Sequence, residues 1–274
     1  MKIVAYKITK TKNIPFQTQA FTLDEMTREL PQGFYTTFST LANGTKVLGL
    51  RMHLQRLYAP AKETGLNPSV DELTLRARLA EFAKSNLPKE SRIRLILSKQ
   101  DGIVHAGIQT FEPLPEEIYK KGVRVVTSEL TRQSPRVKDT GFISSSIAQR
   151  KQISRNIFEI LLTKNGEILE GMTSNFYAIK ENTLVTAKRG ILLGVTRRVI
   201  LRLARGQGMS IEYRAPGMSE IFDEAFLTSS SRGVVPIVSI DSKSVGRGRV
   251  GRWTEMLSKV YQAYVMERSE RFVK

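Results

Sequence analysis

Two Asn-Gly dipeptides limit what this chain can become. Asn43-Gly44 lies between the runs FYTTFST and TKVLGL, and Asn165-Gly166 lies between IFEILLTK and EILEGMTSNFYAI. A tight type I′ turn needs positive φ at both central residues, which Asn tolerates and Gly adopts freely. Such a dipeptide between apolar, β-branched runs therefore predicts an antiparallel hairpin. MKIVAYKI, RIRLILS, HAGIQTF, VRVVTSEL, SIEYRA, EAFLTSS and VVPIVSI also read as strands, with a further turn at Asn182. Helical spacing runs through HLQRLYAPAKETG, closing on Gly65, through SVDELTLRARLAEFAKSNL and TRRVILRLARGQG, and from about Trp253 onward. In the second of these, Ser69 is the expected N-cap, with Glu72 three residues on. Strands interleaved with helices predict a mixed α/β (α+β) fold. With 274 residues, 41% of them hydrophobic, the chain can bury a full core. FEPLPEEIYKKG, rich in Pro, Glu and Lys, is the best linker candidate. It predicts a small α/β domain at 1–115, a connection at 116–122 and a larger α/β domain at 123–274.

Composition removes several chemistries. Without cysteine there is no disulfide, thiolate nucleophile or zinc–thiolate centre, and two histidines, His53 and His105, are a poor basis for a metal site. No run approaches the roughly 20 apolar residues of a membrane span, and the opening MKIVAYKITKTKN lacks the apolar stretch of a signal peptide, so a cytoplasmic location is expected. The net charge of +17 raises the question of nucleic acid. The basic residues are dispersed, however, with Arg247, Arg249 and Arg252 as the densest cluster, which favours a solvated basic surface over a nucleic-acid face.

The second hairpin carries residues that a purely structural hairpin does not need. Glu170 ends a strand whose alternation directs it inward among apolar neighbours, where a carboxylate requires a partner, either an arginine or a ligand group. The hydroxyls and asparagine of Thr173-Ser174-Asn175 are expected to tie the turn to its own backbone. Farther on, GVTR at 194–197 places a glycine ahead of a helix whose first N–H groups lack intrahelical acceptors, an arrangement that can cradle a phosphate. TSSSRG at 228–233 follows another apolar strand and offers more hydroxyls and N–H groups to an anion. Together these features point to a phosphorylated ligand.

In this order EGMTSNFYAI, LVTA, ILLGVTRRVILRLARGQG and FDEAFLTSSSRGVVPIVSID resemble the signature of the class IV aminotransferases. These are pyridoxal-phosphate enzymes of fold type IV, among them branched-chain and D-amino-acid aminotransferases and aminodeoxychorismate lyase. Upstream, GFYTTFST and LGLRMHLQRLYAPAKETGL are similar to the family's N-terminal hairpin and following helix, so the resemblance covers nearly the whole chain. It implies a two-domain enzyme with its active site between the domains, pyridoxal 5′-phosphate as cofactor, and a homodimer. Lys138 in PRVKDTGF, 32 residues before Glu170, matches the lysine that holds the cofactor as an imine and then moves a proton at the substrate α-carbon. Glu170 matches the acid that keeps the pyridine nitrogen protonated. Arg56 in HLQRL, the backbone N–H groups of Val195 and Thr196, and Ser230 match the phosphate-binding positions. Ser231 and Tyr35 fall on the substrate side. Where relatives carry a tyrosine shortly after the lysine, this chain has Phe142. RIRLILSKQDG lacks the arginine-histidine pattern of the D-amino-acid enzymes, and FYTTFST does not closely match the branched-chain ones, so the substrate stays open. The implied activity is transfer of an amino group between an amino acid and a 2-oxo acid. Aminodeoxychorismate lyase is the alternative within the fold, and a non-catalytic basic binding protein on this scaffold is the more remote one.

Overall fold

The computed structural model describes residues 3–273. The N-terminal elements are β1 (Val4–Ile8), β2 (Asn13–Phe16), α1 (Leu23–Arg28), β3 (Gly33–Leu41), β4 (Lys46–Val47), α2 (Leu50–Glu63), α3 (Glu72–Lys84), β5 (Ser91–Ser98) and β6 (Val104–Thr110). Then come α4 (Glu116–Lys121), β7 (Val123–Glu129), α5 (Gly141–Ser145), α6 (Ile147–Arg150), β8 (Glu159–Lys164), β9 (Glu167–Gly171), β10 (Asn175–Lys180) and β11 (Thr183–Val185). The chain ends with α7 (Val195–Gly206), β12 (Ser210–Glu212), β13 (Glu224–Ser229), β14 (Gly233–Ile240), β15 (Lys243–Ser244), α8 (Arg252–Arg268) and β16 (Glu270–Arg271). Two compact units result. The first takes the chain up to Glu112, the segment Val137–Ser145 and the C-terminal stretch from Arg268, and the second takes Pro113–Arg136 and Ser146–Glu267.

The first unit is a seven-stranded sheet, β16-β4-β3-β5-β6-β1-β2, whose pairings are antiparallel. Both of its faces are covered, so β3 buries alternate residues on opposite sides. Phe34 and Phe38 pack with Leu50, Leu54 and Leu57 of α2 and Leu75, Leu79 and Phe82 of α3, while Tyr35 packs with Leu23 and Met26 of α1 and with Ile143. Residues 138–140 lie along the start of β3: Tyr35 N donates to the Lys138 carbonyl at 2.8 Å and Thr140 N to the Gly33 carbonyl at 3.0 Å.

Two local expectations change here. Ala42, Asn43 and Gly44 all have positive φ, and the β3–β4 register pairs Leu41 with Lys46, so the first Asn-Gly lies in a four-residue loop rather than a two-residue turn. Gly49 then turns left-handed at φ 66, and α2 begins at Leu50, cutting the expected second strand to two residues. Likewise α3 is capped by Asp71, whose carboxylate accepts from Thr74 N at 2.7 Å, and not by Ser69, whose N–H is taken by the Gly102 carbonyl. Aspartate caps as well as serine does, and it sits nearer the first periodic residue.

The second unit holds a nine-stranded sheet in the order β12-β11-β10-β13-β14-β7-β8-β9, with β15 paired to β14. Parallel pairs β14–β7 and β7–β8 run side by side in it. β8 and β14, buried over much of their length, are rich in Val, Ile and Leu, as strands covered on two faces require, while β7 exposes Arg124 and Glu129. Here the second Asn-Gly behaves as the sequence predicts: Lys164 pairs with Glu167, and Asn165 and Gly166 have φ of 52 and 76. That hairpin delivers Glu170 to the end of β9.

Candidate active site

In the first unit the segment 137–145 carries Lys138 to β3. Lys138 is half-buried, and its Nζ stands 4.6 Å from the centroid of the Tyr35 ring, itself 4% exposed. On the other face of β3, Thr36 Oγ1 and His53 Nδ1 are 2.8 Å apart, which anchors α2 one turn before Arg56. Burial first, and then the charges of Arg56 and Lys138, hold the His53 imidazole well below its ordinary pKa. The neutral ring therefore lies within electrostatic reach of two cations, Arg56 and Lys138, and of these Lys138 also stands over Tyr35 on the opposite face of β3. Phe142 is buried in α5.

In the second unit Glu170 is 1% exposed. Its carboxylate accepts from Arg132 Nε at 2.8 Å, from Leu192 N at 3.0 Å and more distantly from Asn175 Nδ2 at 3.4 Å. Arg132 also donates to the Met172 carbonyl at 2.7 Å, so it clamps both sides of the Glu170-Gly171 bend. The arginine partner that an inward acid calls for is thus present. Its location in the loop TRQSPR, which has no periodicity, left no way to single it out from the many basic residues.

Asn175 extends the network to α7. Its Nδ2 donates to the Leu192 carbonyl at 2.7 Å, and a Cβ added at Gly194 would lie 2.3 Å from its Oδ1. The glycine lets the chain turn into α7 directly over Asn175. Asn175 thus ties its turn to a neighbouring loop, and Thr173 and Ser174 donate to the Glu159 side chain, in place of the expected bonds to their own backbone. At the start of α7 Val195 and Thr196 are buried, and Gly194 supplies no side-chain cap. Thr196 is hydrogen-bonded to Tyr261 of α8, whose ring also lies against Gly233. Ser230 and Ser231, both half-buried, form the turn from β13 to β14 that ends at this glycine. Glu170, Val195, Thr196 and the 230–231 turn are therefore linked through Asn175, Leu192 and Tyr261.

This chemistry suits a phosphorylated aromatic base. Taken unit by unit, the half-buried primary amine of the first suits such a group's aldehyde, and in the second the buried carboxylate among N–H donors suits its ring nitrogen and the uncapped helix start its phosphate. Comparison with known proteins agrees. The family described as Amino-transferase class IV matches residues 33–240. The D-alanine aminotransferase of Bacillus licheniformis is 28% identical over 238 residues, 81% of this chain and 84% of that protein. The branched-chain-amino-acid aminotransferase of Pseudomonas aeruginosa is 30% identical over 250 residues, 83% of this chain and 81% of that protein. In fold the chain is similar to a T.th. branched-chain amino acid aminotransferase solved with pyridoxamine 5′-phosphate, at a TM-score of 0.81 and 19% identity over 97% of this chain and 94% of that one. Among the described residues no helix is long and apolar enough to cross a membrane. The chain belongs to the class IV aminotransferases, enzymes of fold type IV that work with pyridoxal 5′-phosphate.

Proposed function

We propose that this enzyme transfers an amino group between an amino acid and a 2-oxo acid, with Lys138 and Glu170 as its catalytic residues. The observation that carries the reading is the Glu170 carboxylate, 1% exposed and held in place by Arg132 and Leu192 N. A carboxylate so fixed can hold a proton at the ring nitrogen of the cofactor. When bound, pyridoxal phosphate supplies a ring that withdraws electrons from the substrate α-carbon and a carbon that accepts the amino group. Lys138 Nζ would hold the cofactor and would serve as the base that moves the proton at the α-carbon. Arg56, the N–H groups of Val195 and Thr196, the Thr196 hydroxyl and Ser230 bind the phosphate, while Ser231 and Tyr35 face the substrate. Both curated relatives compared are named for amino-group transfer, which supports transamination over pyruvate elimination. As in the resemblance, the working form is a homodimer.

Borohydride treatment of the yellow holoenzyme should fix the cofactor to a peptide containing Lys138, and a label on another lysine would sink the assignment. Mixing the enzyme with amino acids and no acceptor should bleach its visible band and release one equivalent of 2-oxo acid per site. A band that persists while aminodeoxychorismate gives pyruvate would instead establish the lyase. Glu170→Gln separates a chemical from a structural role: the folded variant should keep its cofactor and lose turnover by about 10²-fold or more. Full turnover would reduce Glu170 to the structural partner of Arg132.

A further inference from the structure

A second buried carboxylate lies one strand away from Glu170. Glu159 on β8 is 0% exposed, and its side chain accepts from Thr173 Oγ1, from Ser174 Oγ at 3.3 Å, from Ile160 N at 3.2 Å and from Arg232 Nη2 at 3.1 Å. Gly171 makes room for this. A Cβ there would lie 2.1 Å from Ser174 Oγ and 3.2 Å from Glu159 Cγ, so the Glu170-Gly171 pair needs its glycine to pass over Glu159. Arg232 is fixed on several sides. Nη2 bonds Glu159 and Thr173, Nε donates to Ser229 Oγ at 3.1 Å, the guanidinium lies 5.2 Å from the Phe158 ring centroid, and the residue's carbonyl accepts from Tyr119 Oη at 2.8 Å. Its Nη1 bonds to none of the described residues, although the side chain is only 20% exposed. The hydroxyls of Ser230 and Ser231, in the same turn, likewise bond to none of the described residues.

A surface arginine is ordinarily mobile, and holding one still costs side-chain entropy. Here a fully buried acid, two hydroxyls and a ring hold the guanidinium with Nη1 uncommitted, in the same turn as two uncommitted hydroxyls. We infer that Arg232 is a specificity-determining residue that binds the carboxylate of the amino-acid or 2-oxo-acid substrate through Nη1, with Glu159 as the residue that positions it. The inference rests on the aminotransferase reading and adds to it a residue for carboxylate recognition. A carboxylate fits better than the cofactor phosphate for two reasons. Glu159 offsets most of the arginine's charge, leaving a site matched to a singly charged planar anion, whereas the more highly charged phosphate has the start of α7.

The test compares binding of 4-methylpentanoate with that of its uncharged amide, 4-methylpentanamide, to the holoenzyme by calorimetry, alongside cofactor affinity from visible absorbance. Wild type should prefer the acid. Arg232→Gln should weaken binding of the acid about tenfold or more while leaving the amide and the cofactor unchanged. Arg232→Lys, which keeps the charge without the planar fork, should fall between them and serves if the glutamine variant does not fold. Glu159→Gln, by lifting the offsetting charge, should hold or strengthen acid binding, whereas a merely structural pair would weaken acid and amide alike. The inference is overturned if Arg232→Gln binds the acid as wild type does, if acid and amide fall together, or if the loss is in cofactor affinity, which would assign the arginine to phosphate. Because these constants do not depend on turnover, failure of every amino acid to donate its amino group would overturn the aminotransferase reading separately.

Discussion

Two helices of the second unit begin in opposite ways. At α8 the protein supplies its own anion. Glu224, 8% exposed at the start of β13, accepts from Trp253 N at 3.0 Å and Thr254 N at 2.7 Å, and a Cβ at Gly251 would lie 2.0 Å from its Cδ. At α7 there is no acid in the first turn and no side-chain cap, and the N-cap is a glycine in extended conformation, φ −62 and ψ 148. Helix N–H groups without intrahelical acceptors draw an anion in either case. A resident carboxylate makes α8 a structural joint. Its absence at α7, together with the close passage of Gly194 over Asn175, leaves a place suited to a ligand's phosphate.

The sharpest way to break this comparison is to give α7 the occupant that α8 already has. Gly194→Ala adds only the Cβ that presses on Asn175, whereas Gly194→Asp adds the same Cβ and a carboxylate able to bond the N–H groups of Thr196 and Arg197. The alanine variant should therefore weaken cofactor retention through the displaced Asn175, and the aspartate variant about tenfold to a hundredfold further, since internal anion and phosphate compete for the same donors. Cofactor titration by visible absorbance reads both. Equal losses in the two variants would mean that the opening of α7 takes no anion.

The converse experiment empties α8. Glu224→Gln keeps shape and acceptor oxygen but loses the charge, so unfolding free energy should drop by about 1–2 kcal/mol with cofactor affinity unchanged. Denaturant unfolding together with the same titration checks it. A variant that lost its cofactor while staying stable would show that α8's start also serves the ligand.

How far each site could be read from the chain follows from where its signal is written. The α7 start was legible because glycine before an amphipathic helix is a local pattern, and Glu170 because strand alternation forces an acid inward. Glu224 was not. It sits at the mouth of a strand, where an acid is unremarkable, and the donors it serves are some thirty residues away in sequence. Arg132, Glu159 and Arg232 were hidden for the same reason, since each takes its meaning from a partner 38 to 73 positions off. The fold divided similarly. The two-residue hairpin at Asn165-Gly166 followed from local chemistry, but the loop at Asn43-Gly44 is longer because Gly49 turns the chain into α2 almost at once. What nearest neighbours decide was readable, and what the sheet brings together was not.

The smallest expected effect concerns the side chain that joins the two helix starts. Tyr261 of α8 is hydrogen-bonded to Thr196 of α7, yet burial outweighs that bond and pushes its hydroxyl up to about 12. A folded-state value above the unfolded one near 10 means that the native protein keeps a proton which the unfolded chain gives up. The resulting stability is fully present below about pH 10 and is lost as pH rises through about 12. Tyr261→Phe cannot titrate. Its deficit relative to wild type, about 1 kcal/mol at pH 7 for one lost hydrogen bond, should therefore shrink by up to about 1.4 kcal/mol between pH 10 and 11, the slope that one proton gives. Because the first-turn N–H groups of α7 survive the change, cofactor affinity at pH 7 should move by less than about threefold. A larger shift would show that the opening at α7 is held in shape by α8, making the two helix starts parts of one device rather than two uses of the same physics.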